Sequence, residues 1–213
     1  MKIIIIGLGL IGGSIAKALS SAQDYEIFAF DSDQQSIKNA LHNQSIQGSL
    51  NSLNDLESAE YSHSLVIIST PPSVTNDILK SLDFLINSSV TIMDTTSTKS
   101  SLNKMLQEFN FPKNIIFSHP VAGSHLSGEK NSVADLFNGK STILSYHDSA
   151  ASQHVDRVTN LWNALGSNIT VLDAELHDKI FAYSSHLPHV VAYALLNTLK
   201  GLDQDDLALF SGG

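Results

Sequence analysis

Lys2-Ile3-Ile4-Ile5-Ile6-Gly7-Leu8-Gly9-Leu10-Ile11-Gly12 is the stretch that decides the fold. Consecutive isoleucines favour a strand covered on both faces. A G-x-G-x-x-G run is informative only in context. Here it follows that strand and opens a helical segment carrying Ile15, Ala18 and Leu19, the arrangement that holds the pyrophosphate of a dinucleotide. Gly7 allows the tight turn, Gly9 lets backbone approach the phosphates, and Gly12 lets helix and strand pack closely. Leu10 and Ile11 stand where the helix N-terminus offers its N–H groups and partial positive charge, and they join the glycines as expected cofactor contacts. Asp31 ends the next strand, 19 residues after Gly12. A carboxylate there accepts hydrogen bonds from both ribose hydroxyls and repels a 2′-phosphate, so the expected cofactor is NAD rather than NADP. The alternative is that Asp31 only caps a helix running from Ser32 onward.

Outward from this stretch, apolar runs of strand length alternate with amphipathic segments. Strands are expected at Lys2–Ile6, Glu26–Phe30, Leu65–Ser69, Val90–Met93, Asn114–Phe117, Thr142–Ser145 and Asn168–Leu172. The clearest helix is Asp148–Leu165, with Val155, Val158, Leu161, Trp162 and Leu165 on one face. Such alternation reads as an α/β fold, a doubly wound, Rossmann-type, mostly parallel sheet. It stops after Leu172. From Asp173 to Leu199 runs a helical pattern interrupted by Pro188, which kinks it or divides it in two. The expected division is therefore residues 1–172 as a dinucleotide-binding domain and 173–213 as the start of an all-helical piece.

Of the 213 residues, 42% are hydrophobic, enough for a sizeable core. With 12 Lys+Arg against 21 Asp+Glu the net charge is −9, which argues against nucleic acid as a partner. The absence of cysteine excludes disulfides, thiolate metal sites and a cysteine nucleophile. Glycine breaks the apolar start within seven residues, so neither a signal peptide nor a membrane span is expected, and the cytoplasm is the expected location.

Three further strand ends carry polar groups. Ser69-Thr70-Pro71-Pro72 either flanks the cofactor or is a plain connection. Asp94-Thr95-Thr96-Ser97-Thr98-Lys99 and Ser118-His119-Pro120-Val121-Ala122-Gly123-Ser124-His125 end two more, with Thr95 counted among the cofactor contacts. A histidine at a strand's carboxyl end, held extended by the following proline, is placed to act as an acid or base near neutral pH. Read alone, a histidine beside a strand end such as His119 is more often structural than catalytic.

Taken together, Gly7–Gly12, the Asp94–Lys99 run, Ser118-His119-Pro120-Val121-Ala122-Gly123, His177-Asp178 and Ser185-His186-Leu187-Pro188-His189 resemble the prephenate dehydrogenase family, which includes the arogenate and cyclohexadienyl dehydrogenases of tyrosine biosynthesis. The resemblance implies an NAD-dependent oxidative decarboxylation of prephenate to 4-hydroxyphenylpyruvate. It implies that His119 polarises the ring hydroxyl and that Ser97 orients both this histidine and the nicotinamide. It further implies that Ser97, Ser124, His186 and His189 contact substrate, and that the chain pairs into a homodimer through its helical segment. His186 and His189, three apart, could share one helical face; no metal is expected there.

The sequence departs from the family at His125, where a glutamate is usual. It also ends at Gly213, inside an element that in the family continues to a substrate-binding arginine, so the helical domain is expected to be incomplete. Its one arginine, Arg157, is expected far from the strand ends. Two other readings stand beside this one. A dinucleotide-binding module without catalysis would need Asp31 and the glycines but neither His119 nor Ser97. A hydroxyacid dehydrogenase would use Lys179 as its acid or base.

Overall fold

The computed structural model describes residues 1–123 and 128–199. Two compact units divide the chain, Met1–Ala174 and Glu175–Gly213.

The first unit is built on an eight-stranded sheet in the order β3-β2-β1-β4-β5-β6-β7-β8. Its strands are β1 Lys2–Ile6, β2 Glu26–Phe30, β3 Gly48–Ser49, β4 Leu65–Ile68, β5 Thr91–Asp94, β6 Ile115–Pro120, β7 Ser141–Ser145 and β8 Asn168–Val171. Every neighbouring pair is parallel except β6 with β7. The helices are α1 Leu10–Leu19, α2 Gln34–His42, α3 Pro72–Ser81, α4 Ser100–Glu108 and α5 Ser152–Ala164. This is the doubly wound α/β architecture that the alternating pattern predicts.

Packing settles why the isoleucine run is a strand. Ile3 to Ile6 are 0–1% exposed, with Ile3 and Ile5 in one core cluster and Ile4 and Ile6 in the other. Burial of each contributes about 1.5–3 kcal/mol, more than any strand propensity supplies. The order reverses at β1, where β2 lies on one side and β4 on the other. That reversal opens a crevice at the carboxyl ends of the strands, the place where such sheets bind ligands.

Two expectations are corrected in detail, and one short strand was not expected. The strand expected at Asn114–Phe117 runs on to Pro120, because β6 pairs with the returning β7, His119 opposite Ile143 and Pro120 opposite Thr142. The α5 helix starts at Ser152, not Asp148. The His147 imidazole accepts the Ser149 N–H at 3.1 Å, and the Ala151 N–H goes to the Lys113 carbonyl, so residues 148–151 turn rather than coil. The two-residue β3 has no periodicity to betray it.

Beyond β8 come α6 Ala174–Phe181, a π turn Ala182–His186 and α7 Leu187–Leu199, with no further strand among the described residues. The interruption falls directly ahead of Pro188, which has no N–H to continue the helical ladder; the preceding Leu187 N–H bonds to the Ala182 carbonyl, five residues back. No described helix is long and apolar enough to cross a membrane.

Candidate active site

The glycine turn is held by backbone geometry and one carboxylate. Gly7 has φ +97°, and a Cβ there would lie 2.5 Å from the Ser69 carbonyl oxygen. At Gly12 a Cβ would lie 2.0 Å from the Gly7 oxygen. Gly9 differs: nothing stands within 4 Å of a Cβ built on it. It caps α1 in extended conformation, with φ −75°, a value any residue can take. The protein itself therefore has no need of glycine at this position. Asp31 braces the turn by accepting the Leu8 N–H at 2.6 Å and the Asp33 N–H at 2.7 Å. The cap of α2 is Asp33, whose carboxylate takes the Gln35 and Ser36 N–H groups, so the reading of Asp31 as that helix's cap is overturned.

Two clefts open along this rim. One, of about 400 Å³, is lined by Gly7, Gly9, Asp31, Ser69, Thr70 and Pro71, with Phe30, Ser32, Val74 and Ile78 among its walls. The other, of about 380 Å³, is lined by Gly9, Leu10, Ile11, Ser69, Thr70, Pro71, Thr95, Ser97 and His119, and closed by Thr96, Pro120, Ala122 and Gly128. They share Gly9, Ser69, Thr70 and Pro71 and so meet at the N-terminus of α1. Among the described residues neither lining contains a lysine or an arginine. The first N–H groups of α1 have no partner inside the helix, and Gly9, Leu10 and Ile11 of that turn line the second cleft. An elongated anion with an apolar or polar group at each end fits the pair.

Hydroxyls line the seam. The Thr95 hydroxyl donates to Ser69 Oγ at 3.1 Å, and Thr70 Oγ1 lies 3.0 Å from Thr75 Oγ1. His119 is 8% exposed, enough to reach the cleft while remaining anchored in β6. The chain beyond the site is tied back to α1, where Lys17 donates to the Ser132 carbonyl at 3.0 Å and pairs with Glu129 at 3.5 Å.

Beneath the second cleft lies a buried ion pair that the sequence displays without revealing its partnership. Asp94 and Lys99 are 2% and 0% exposed, with Lys99 Nζ 2.6 Å from Asp94 Oδ2. Val74 and Ile78 were also missed. They are four apart in the first turns of the helix after Ser69-Thr70-Pro71, and that spacing on a helix opening from the rim was the available signal.

Arg157 lies at the opposite, amino-terminal ends of the strands. Its guanidinium donates to Thr91 Oγ1 at 2.7 Å and to the Ser89 carbonyl at 3.1 Å, at the amino end of β5. His154, 2% exposed, shares Thr91 Oγ1 at 2.7 Å, and burial followed by the Arg157 charge pushes its pKa below the ordinary 6.5.

Of the remaining expected site residues, Ser124 lies outside the described residues, as does His125. His186 closes the π turn and His189 stands in the first turn of α7, both in the second unit. Among the described residues no group of three or more His, Asp or Glu side chains could hold a metal ion.

Residues 15–171 match the family described as prephenate dehydrogenase, nucleotide-binding domain, and residues 173–212 the one described as prephenate dehydrogenase, dimerization domain. The cyclohexadienyl dehydrogenase of Zymomonas mobilis is 32% identical over 95% of this chain and 68% of its own length. The prephenate dehydrogenase of Lactococcus lactis is 31% identical over 92% of this chain, which spans only 53% of that relative. The crystal structure of Aquifex aeolicus prephenate dehydrogenase in complex with hydroxyphenyl propionate and NAD+ superimposes with a TM-score of 0.88 at 31% identity, covering 100% of this chain and 75% of that one.

Proposed function

The chain belongs to the prephenate dehydrogenase family, and from that premise we propose that it catalyses the NAD-dependent oxidative decarboxylation of prephenate to 4-hydroxyphenylpyruvate. One observation carries the reading: Ser97 and His119 line the same cleft as Gly9, Leu10 and Ile11 at the helix N-terminus. A binding module without chemistry has no use for that imidazole and hydroxyl.

The turn fits the cofactor on this structure's own terms, since the space over Gly9 is kept clear although no protein atom needs it. In this reading Gly7, Gly9 and Gly12 shape the turn, and Leu10 and Ile11 present their N–H groups to the pyrophosphate. Asp31 takes the ribose hydroxyls, and Ser69, Thr70, Pro71 and Thr95 flank the nicotinamide half. When bound, NAD supplies the hydride acceptor. His119 accepts the hydrogen bond of the ring hydroxyl and takes its proton as the carbinol carbon is oxidised. Cleavage of the bond to the ring carboxylate releases carbon dioxide and leaves its electron pair in the ring as a phenolate. His119 returns the proton to that oxygen, which balances the step. Ser97 orients the imidazole. Ser124, His186 and His189 are assigned to the substrate, and the partner to a second copy of the chain through the apolar side chains Val190, Val191 and Leu195 that α7 exposes. A biosynthetic enzyme of this kind works in the cytoplasm.

The test is NADH formation by the full chain from prephenate and, in parallel, arogenate. His119→Asn should keep the dissociation constant for NAD and lower turnover by about 10²–10⁴-fold, the usual worth of a general base. Equal turnover in the two proteins removes His119 from its role; NADH from arogenate alone replaces the substrate.

A further inference from the structure

We infer that Asp94 is a positioning residue whose single carboxylate sets the separation between the Ser97 hydroxyl and the His119 imidazole. The inference rests on the reading above, in which those two groups act together on one substrate.

The two carboxylate oxygens serve two different stretches of chain. Oδ2 accepts from Lys99 Nζ at 2.6 Å, from the Thr96 N–H at 2.9 Å and from the Thr96 hydroxyl. Lys99 Nζ also donates to the Thr96 carbonyl at 2.7 Å. The turn holding Ser97 is thus pinned on both sides of that serine. Oδ1 accepts the Ser118 N–H at 3.1 Å, and the Ser118 hydroxyl donates to the Asp94 carbonyl at 2.5 Å. Ser118 immediately precedes His119. One rigid group at the end of β5 therefore fixes the residue next to the imidazole and the turn that carries the hydroxyl.

Stability alone is a poor reason to keep such a pair. Burying two charges costs desolvation that apolar residues of similar volume avoid, and apolar replacement is often neutral or stabilising. What an ion pair with directed bonds supplies is fixed geometry. Lys99 cancels the charge, so Asp94 contributes placement rather than a field. Displacement of a reacting group by about 1 Å can cost about 10²-fold in rate.

Asparagine at 94 has one acceptor oxygen and one donor nitrogen. It can hold the turn or Ser118, not both. In the full chain, Asp94→Asn should lower kcat on prephenate about 30- to 100-fold, while the dissociation constant for NAD changes less than about threefold. Asp94→Asn/Lys99→Met removes both charges, leaving neither unpaired although the Thr96 carbonyl loses its Lys99 donor, and should recover part of the thermal midpoint lost in the single variant without recovering kcat. The ring ¹⁵N resonances of His119, assigned by their loss in His119→Asn, should move in both variants. If kcat instead follows the thermal midpoint through the series and the His119 resonances stay in place, the pair is only packing and the inference falls. Should the wild-type chain make no NADH from prephenate, the proposed reaction fails, but displaced His119 resonances still uphold the positioning and unmoved ones still overturn it.

Discussion

Asp31 shows how one side chain can carry two duties at once. Its oxygens brace Leu8 and Asp33, and it also lines the cleft assigned to the adenosine half of the cofactor. Alanine there would loosen the turn and confound the test. Asp31→Asn keeps an acceptor for the Leu8 N–H, leaves the exposed Asp33 N–H to water, and removes the charge. Two unit charges about 4 Å apart repel by about 1–4 kcal/mol between bulk water and a protein surface. The ratio of dissociation constants for NADP and NAD should therefore fall about tenfold or more in this variant, measured by titration. An unaltered ratio would mean that the carboxylate serves the turn alone. The two-residue offset between Asp31 and the true cap, Asp33, was not legible in the sequence. Both are aspartates ahead of the same helix, and only the path of the turn decides between them.

At the scale of elements, the three glycines separate by what each meets. Gly9→Ala adds a methyl group to open space at a permitted backbone angle, so it should leave the fold unchanged or stabilise it by about 0.4–1 kcal/mol through the unfolded chain. Its cost should appear in NAD affinity, weakened tenfold or more, about 1.4 kcal/mol. Gly12→Ala drives a methyl into the Gly7 carbonyl and should lower the thermal midpoint before any ligand is added. Calorimetry with and without NAD separates the two. If Gly9→Ala binds NAD like the wild type, the open space serves some other purpose. The clamp at the amino-terminal ends of the strands makes a pH prediction. His154 has a folded pKa below its unfolded value, so the unfolded chain binds the extra proton. Its contribution to stability is whole above about 6.5 and is lost as pH falls below that. Against the wild type, His154→Gln should show a shallower fall of thermal midpoint between about pH 7 and 5; parallel curves would remove His154 from the account.

Over the whole molecule, the sequence disclosed what is local and repetitive. The isoleucine run, the spacing of the glycines and the alternation of strand and helix are each written within a few residues, and they name the architecture. It also marked Ser69, Thr70, Thr95, Ser97 and His119 as strand-end residues, and all five line one cleft. What it withheld depends on partners distant in the chain. The extension of β6 through His119 is set by β7, whose paired residues lie some two dozen positions later. Asp94 and Lys99 are five apart, yet the meaning of their contact comes from Ser118, 24 residues on. The helical spacing of Val74 and Ile78 was legible, but that this face of α3 walls the cleft beside Asp31 is set by the sheet.

Two clefts with no lysine or arginine among the described residues, on a chain of net charge −9, carry a consequence for ionic strength. Proteins that grip phosphates with ammonium or guanidinium groups lose affinity as salt displaces the counterion gain. In the proposed reading fixed peptide dipoles do the holding, and the long-range field of the acidic chain opposes an incoming anion. Added sodium chloride screens that opposition over a Debye length of about 10 Å at 0.1 M. From about 0.02 to 0.3 M salt, NAD should bind as tightly as before or more so; a steep loss would point to a cationic contact from outside the two linings.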